Sequence, residues 1–129
     1  MMYRKSGLYI KQSGKKGRGI FCSEIIAAGE VIEITPAICF SAAEAVHIDK
    51  TELYNYYFSA ESVPISMESG AGCLALGLLS LCNHADLPNA EIDKTIDDKT
   101  AIFTLKALSV IPPDTEISIS YGQLWFEPE

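Results

Sequence analysis

Nine glycines and six prolines are spread along the 129-residue chain, and their spacing constrains the fold more than any other feature. Because both residues interrupt regular structure, they leave room for short strands rather than long helices. The clearest strand is "TEISISYG", where Ile117, Ile119 and Tyr121 alternate with polar residues in the two-residue period of a β-strand. We therefore predict a mainly β fold with few short helices.

Other strands are predicted at Ile20–Ser23, on both sides of a tight turn at Ala28-Gly29, and in the segment "TAIFTLKAL". Pro36 interrupts the apolar run after this turn. Since proline has no N–H group to donate to a sheet, Ala37–Phe40 should be a separate strand or lie at a sheet edge. The segments "IIAAGEVIEI" and "SVIPPDTEISI" resemble each other, which predicts two similar strand–turn–strand corners rather than a repeat array.

One helix is predicted from Ala42 to about His47, because Ser41 and Glu44 form a capping-box pattern in front of it. No linker, low-complexity tract or acidic tail divides the chain. We therefore expect a single domain over residues 1–129.

The charge balance is acidic, since 17 acidic and 10 basic residues give a formal net charge of −7. This argues against direct nucleic-acid binding, which needs a basic face to displace phosphate counterions. A negative surface favours a cationic partner, although the same charge also serves simply to keep a protein in solution.

The four cysteines, Cys22, Cys39, Cys73 and Cys82, form no C-x-x-C pair and have no histidine at zinc-finger spacing. Their apolar neighbours predict buried free thiols in a reducing compartment, and no metal site.

The N-terminus lacks the apolar core of a signal peptide, and the most apolar run, Gly70–Cys82, is shorter than the about 20 residues that span a bilayer. We expect an intracellular, cytoplasmic protein without membrane contact, or one in a host nucleus if it is a viral or secreted effector.

Three short motifs carry the candidate chemistry, and each alone also has an ordinary structural explanation. The glycine-rich Gly14–Gly19 matches neither a phosphate-binding loop nor a dinucleotide fingerprint, and suits either a turn or a close approach of a ligand to the backbone. Asn83-His84 ends the most apolar run, and Pro88-Asn89, a turn signal, follows it. Tyr121-Gly122 ends the alternating strand.

Together and in this order, the motifs resemble those of the SET-domain protein-lysine methyltransferases. The matching stretches are "KGRGIFCSEIIAAGEVI", "LCNHADLPNAEI" and "IPPDTEISISYG", and "NYYFS" is similar to a short aromatic segment of the family. The resemblance spans about residues 8–126 and is greatest to small single-domain members, such as a viral histone methyltransferase.

The resemblance implies the β-clip fold of short curved sheets, with a C-terminal segment threaded like a pseudoknot. It also implies the cofactor S-adenosylmethionine, which the backbone of Gly17, Arg18 and Gly19 would approach. Asn83 and His84 would hold its methionine end and its adenine, which explains why a polar pair ends an apolar run.

The same resemblance makes Tyr121 the catalytic tyrosine, in contact with the cofactor, and Tyr56 an aromatic residue of the catalytic or cofactor site. The acceptor lysine must lose its proton before it can attack the methyl group. At pH 7 this costs about 4–5 kcal/mol from a reference pKa of about 10.4, and both desolvation and the sulfonium charge lower that cost. Alignment of the reacting atoms in a narrow channel contributes several kcal/mol more.

Two departures from the family pattern affect the site. Ala85 follows His84 where most relatives have serine, and the seven residues printed after Gly122 contain no cysteine, where many relatives have a cysteine-rich zinc segment. Trp125 and Phe126 stand in that place, and we expect Trp125 to cover the cofactor or complete the lysine channel. Simple packing of the C-terminus is the alternative.

The implied partner is a basic protein segment of a histone, another chromatin protein or a ribosomal protein, and a homodimer would cover surface that relatives cover with flanking domains. The alternative function is a catalytically silent SET-like interaction module. The retained Gly17, Gly19, Asn83, His84 and Tyr121 favour the enzyme. A stand-alone bacterial or viral enzyme that methylates a non-histone protein would change the substrate and not the chemistry.

Replacing Trp125 by alanine tests the covering role. We expect binding of S-adenosylmethionine to weaken by about tenfold, the effect of losing one aromatic contact of roughly 1.4 kcal/mol. Calorimetry measures the affinity and circular dichroism checks the fold. Unchanged affinity and activity in a folded variant would contradict this role.

Overall fold

The structure is a computed structural model, which describes residues 2–14, 17–59, 71–97 and 100–120. Within these ranges, one α-helix, α1, spans Ala42–Ile48, and two 3₁₀ helices span Glu52–Asn55 and Leu78–Leu81. The strands of the described residues are β1 (Tyr3–Arg4), β2 (Leu8–Gln12), β3 (Arg18–Cys22), β4 (Val31–Phe40), β5 (Phe58–Ser59), β6 (Gly72–Ala75), β7 (Asn83–His84), β8 (Ala90–Asp97), β9 (Thr100–Ala107) and β10 (Glu116–Ile119). The predicted fold class, mainly β with few short helices, is confirmed.

These strands form two sheets. The larger has the order β5-β6-β4-β9-β8, and β1 also pairs with β4. The smaller has the order β2-β3-β10-β7, in which β10 runs antiparallel to β3 and parallel to β7. Because β10 lies between β3 and β7, the smaller sheet brings together the glycine-rich motif, Asn83-His84 and the strand that leads to Tyr121.

Strand β4 shows that the prediction for Pro36 was wrong. Val31–Phe40 is one continuous strand with a bulge near its start, and it lies between β6 and β9 rather than at an edge. The side of β4 opposite β9 is shared: β1 pairs with Glu33 and Ile34, and β6 pairs from Ala37 onward. Pro36 falls in the gap between these two partners, so its missing N–H removes no ladder hydrogen bond.

The two similar corners of the sequence pack against each other. The N–H groups of Ile26 and Ile111 each donate to the other's carbonyl oxygen, at 3.0 and 2.9 Å. Both residues are fully buried, and left-handed residues lie in the turns that follow, Gly29 with φ of 81° and Asp114 with φ of 61°. The strand expected before the Ala28-Gly29 turn is therefore a single bridge.

Helix α1 begins as the sequence predicts. Ser41 Oγ accepts a hydrogen bond from the backbone N–H of Glu44, and the Glu44 carboxylate accepts one from the N–H of Ser41. The helix extends one residue beyond the predicted end, to Ile48.

The apolar core contains Cys22, Cys73 and Cys82, whereas Cys39 is half-buried. All four are free thiols.

None of the helices in the described part of the chain is long and apolar enough to cross a membrane. The same residues contain no group of three or more metal-binding side chains. The expected reducing compartment stays a prediction, as does the threaded C-terminal segment, because residues 121–129 lie outside the described residues.

Glu33 is a charged residue in this core, with 1% of its surface exposed. Its carboxylate accepts hydrogen bonds from the backbone N–H groups of Leu78 and Leu79, at 3.0 and 2.8 Å, and from Arg4 Nε at 3.0 Å. A Cβ atom on Gly77 would lie 2.7 Å from this carboxylate, so the position requires glycine. Glu33 thereby fixes the start of the 3₁₀ helix that leads to Asn83.

Replacing Glu33 by glutamine should lower the free energy of unfolding by about 2–3 kcal/mol, because one of the buried backbone N–H groups would then face an amide NH2 group. The matched control is Glu24→Gln, since 55% of the Glu24 side chain is exposed and its ion pair with Lys5 is 3.9 Å long. That change should cost less than about 0.5 kcal/mol. Urea denaturation of both variants measures the difference, and equal stabilities would contradict the role of Glu33.

Candidate functional site

The site is built around the side chain of Asn83, the first residue of β7. Asn83 Nδ2 donates to Glu116 Oε2 at 2.7 Å and to the backbone oxygen of Arg18 at 3.0 Å. A carboxylate and a carbonyl only accept hydrogen bonds, so the NH2 group must face both. Asn83 Oδ1 has no hydrogen-bond partner among the described residues, and it is the acceptor that remains for a ligand.

Glu116 holds this arrangement from the start of β10. Its second oxygen, Oε1, accepts a hydrogen bond of 2.6 Å from the hydroxyl of Ser13. A Cβ atom on Gly19 would overlap the Glu116 carboxylate, at 3.1 Å from Cδ, and would lie 3.2 Å from Asn83 Nδ2. Gly19 is therefore needed for space, whereas Gly17, with φ of 82°, is needed for its left-handed backbone.

Asn89 ties the middle motif to the same strand. Its Nδ2 donates to the backbone oxygen of Glu116 at 2.9 Å, and its Oδ1 accepts from the N–H of Ser118 at 2.9 Å. The Asn89 side chain thus binds the backbone of β10 and keeps this strand in register with Asn83 and His84.

His84 is the second residue of β7. It is opposite Ile119 in the parallel pairing, and the following N–H, of Ala85, donates to the Ile119 oxygen at 2.9 Å. Its ring Nε2 lies 3.2 Å from Asp86 Oδ1, and 34% of its side chain is exposed. The side chain therefore remains accessible at the edge of the smaller sheet.

A cavity of about 440 Å³ opens beside Asn83. Gly17, Arg18 and Tyr56 also line it, so the structure brings these predicted site residues together. The hydroxyl of Tyr56 accepts from Arg18 Nη2 and donates to Glu52 Oε2, both at 3.4 Å. The guanidinium, the phenol ring and the amide thus surround one partly polar space.

The sequence matches the family model of the SET domain over residues 17–122. The chain belongs to the SET-domain family. It is 36% identical over 126 residues to a Schizosaccharomyces pombe protein named "Histone-lysine N-methyltransferase, H3 lysine-37 specific", covering 97% of this chain and 80% of the relative. The expected family is confirmed, and with it the enzyme class, a protein-lysine methyltransferase.

Solved structures agree with this assignment. The crystal structure of Plasmodium falciparum PFL0690c, a protein proposed to be a histone methyltransferase, has a TM-score of 0.69 and 27% identity, over 95% of this chain and 99% of that one. The Neurospora SET domain protein DIM-5, a histone lysine methyltransferase, also has a TM-score of 0.69, over 98% of this chain and 56% of that one. At 21% identity, DIM-5 supports the fold alone.

The sequence does not single out Glu116, which holds the Asn83 side chain in this SET domain. In the sequence it is only one of the polar residues that alternate with Ile117 and Ile119. The alternation does not distinguish a solvated glutamate from one that holds Asn83, because both stand at polar positions. The requirement for glycine at position 19 is a consequence of Glu116 and gives no sign of it in the sequence.

Two predicted site residues, Tyr121 and Trp125, lie outside the described residues, as does Phe126. Gly17, Arg18, Tyr56 and Asn83 line the cavity. Gly19 and His84 follow Arg18 and Asn83 in β3 and β7 and are not among the residues that line it. Their roles in cofactor binding and catalysis stay predictions.

A second cavity, of about 270 Å³, lies at the end of β10. Ile119 and Ser120, the residues before Tyr121, line it together with Phe58 and Lys94. Lys94 Nζ lies 5.6 Å from the ring centre of Phe58 and 5.9 Å from that of Phe103. Burial lowers the pKa of this ammonium to about 8, so the SET domain holds an unusually acidic lysine near the end of β10.

Replacing Glu116 by alanine should lower the free energy of unfolding by about 1–3 kcal/mol, because it leaves the amide of Asn83 and the hydroxyl of Ser13 without their acceptor. Glu116→Gln is the matched control. Its Oε1 can still accept from Asn83, and its NH2 group can donate to Ser13 Oγ, so a loss below about 1 kcal/mol is expected. Urea denaturation compares the two, and equal losses would show that the hydrogen bonds do not stabilise the site.

Proposed function

We propose that this SET domain transfers a methyl group from S-adenosylmethionine to a lysine side chain of a basic protein segment, such as a histone tail. The observation that carries the proposal is the fixed amide of Asn83. Glu116 and the Arg18 carbonyl take both of its donors, which leaves an acceptor oxygen on a residue that lines a 440 Å³ cavity.

The cavity residues fit the amino-acid end of this cofactor. Asn83 Oδ1 can accept from an α-ammonium group, and the Arg18 guanidinium can pair with an α-carboxylate. The Tyr56 ring provides an aromatic wall, which suits a ligand that carries a positive charge. The volume lies within the range of about 300–1,000 Å³ that is usual for small-molecule sites.

S-adenosylmethionine, when bound, supplies a methyl group on a positively charged sulfur. The protein has to bind the donor in one orientation, exclude water and hold a neutral lysine amine in line with the methyl group. The Glu116–Asn83 hydrogen bond helps to orient the methyl donor, because it prevents rotation of the Asn83 side-chain amide. Tyr121 directly follows Ser120, and we assign to its hydroxyl the alignment of the acceptor amine.

The substrate proposal rests on charge and on the relatives. The net charge of −7 favours a cationic partner through long-range attraction. The Schizosaccharomyces pombe relative is named for methylation of a lysine in histone H3. We therefore propose a histone as the first substrate to test, and an intracellular place of action, which the four free cysteines support.

Calorimetry with S-adenosylmethionine tests the cofactor site. Asn83→Ala should weaken binding by more than about tenfold, since a hydrogen bond to a charged group contributes about 1.5–3 kcal/mol. Asn55→Ala is the matched control, because the Asn55 amide lines the same cavity but bonds to Glu52. A folded Asn83→Ala protein that binds as tightly as the native chain would refute the role of Asn83.

Transfer of a radioactive methyl group to purified histones, or to an acidic control protein, tests the reaction. The histones should be labelled and the acidic protein should not. Cofactor binding without transfer to any basic protein would instead support the silent interaction module.

A further inference from the structure

Cys39 and Cys73 face each other across the adjacent strands β4 and β6. They are direct partners in the antiparallel register, and their Sγ atoms lie 3.0 Å apart. Directly opposed residues of antiparallel strands have Cα atoms about 4.5–5.5 Å apart, and disulfides need about 4.4–6.8 Å. The strands therefore already have the spacing of a disulfide, and the two sulfurs need to approach by only about 1 Å.

We propose that Cys39 and Cys73 form an oxidation site, which closes into a cross-strand disulfide when the protein meets hydrogen peroxide. The other two cysteines have different surroundings. Cys22 donates to the backbone oxygen of Ser6 at 3.5 Å, and Cys82 is enclosed in the core with 1% of its surface exposed. The inference does not depend on methyl transfer.

The different burial of the two thiols sets the order of events. Cys39 is half-buried and can be reached by peroxide, whereas Cys73 is fully buried. Burial raises the pKa of Cys73 to about 12, although the positive charge of Lys94 acts in the opposite direction. Since the thiolate is the reactive form, burial and the raised pKa both slow the reaction of Cys73 with peroxide, so Cys39 is the residue that is oxidised first.

The reaction balances with peroxide as the only oxidant. The Cys39 sulfur attacks one peroxide oxygen, the O–O bond breaks, and Cys39 sulfenic acid and one water molecule form. The Cys73 sulfur then attacks the sulfur of Cys39, and the hydroxyl group leaves as a second water molecule with the thiol proton. The two electrons lost by the sulfurs reduce the peroxide.

The bridge would join positions 34 residues apart, a segment that includes α1, Tyr56 and Phe58. Such a closed loop restricts the unfolded chain much more than the folded one. We therefore expect the oxidised protein to unfold at a temperature about 5–10 °C higher than the reduced protein.

The test treats the full chain with limited hydrogen peroxide, blocks the remaining thiols by alkylation and maps the linked peptides by mass spectrometry without reduction. We expect one Cys39–Cys73 link within a single chain, with the loss of two hydrogen atoms, and its reversal by dithiothreitol. Cys22→Ser should form the link at the native rate. Cys39→Ser and Cys73→Ala should form none and should show no rise in melting temperature.

Three results would overturn the inference. The first is accumulation of Cys39 sulfinic acid without a link, and the second is a disulfide that involves Cys22 or Cys82. The third is a link between two chains, which dilution would suppress. Because Cys39 is half-buried, Cys39→Ser keeps the experiment informative even if Cys73→Ala fails to fold.

Discussion

The carboxylate of Glu116 is the point on which the candidate site depends. It joins residues that are 103 and 33 positions away in sequence, Ser13 and Asn83, and it does so at the centre of the smaller sheet. Because a carboxylate only accepts hydrogen bonds, it makes the NH2 group of the Asn83 amide face Glu116. The oxygen of Asn83, a residue that lines the cavity, is therefore left as an acceptor by packing within the protein, before any ligand arrives.

Buried Glu33 repeats the same arrangement in another place. Each carboxylate receives two or more N–H or O–H groups, and each is packed against a glycine, Gly77 for Glu33 and Gly19 for Glu116. One fixes the 3₁₀ helix that precedes Asn83, and the other fixes the Asn83 side chain. Gly19 and Gly77, which have no side chain, are thus as constrained as the carboxylates beside them.

Much of the fold and of the motif positions followed from local sequence signals. The alternation in β10 and the capping box of α1 each depend on neighbouring residues, and both appear in the structure as expected. Pro36 was misjudged because its tolerance in β4 depends on where two distant strands, β1 and β6, stop. Glu33 and Glu116 were missed because burial of a charge depends on partners far along the chain, which no local pattern reveals.

The insertion of β10 between β3 and β7 has a consequence for how the protein is made. The hydrogen bond between Tyr9 and Asp114 spans 105 positions, and the one between Ser13 and Glu116 spans nearly as many. A ribosome-bound chain that lacks β10 has its first two motifs but not the strand that lies between β3 and β7. The arrangement around Asn83 must then form only after β10 has been made, and because contacts between distant segments form slowly, a ligand of the cavity beside Asn83 would report that β10 has docked.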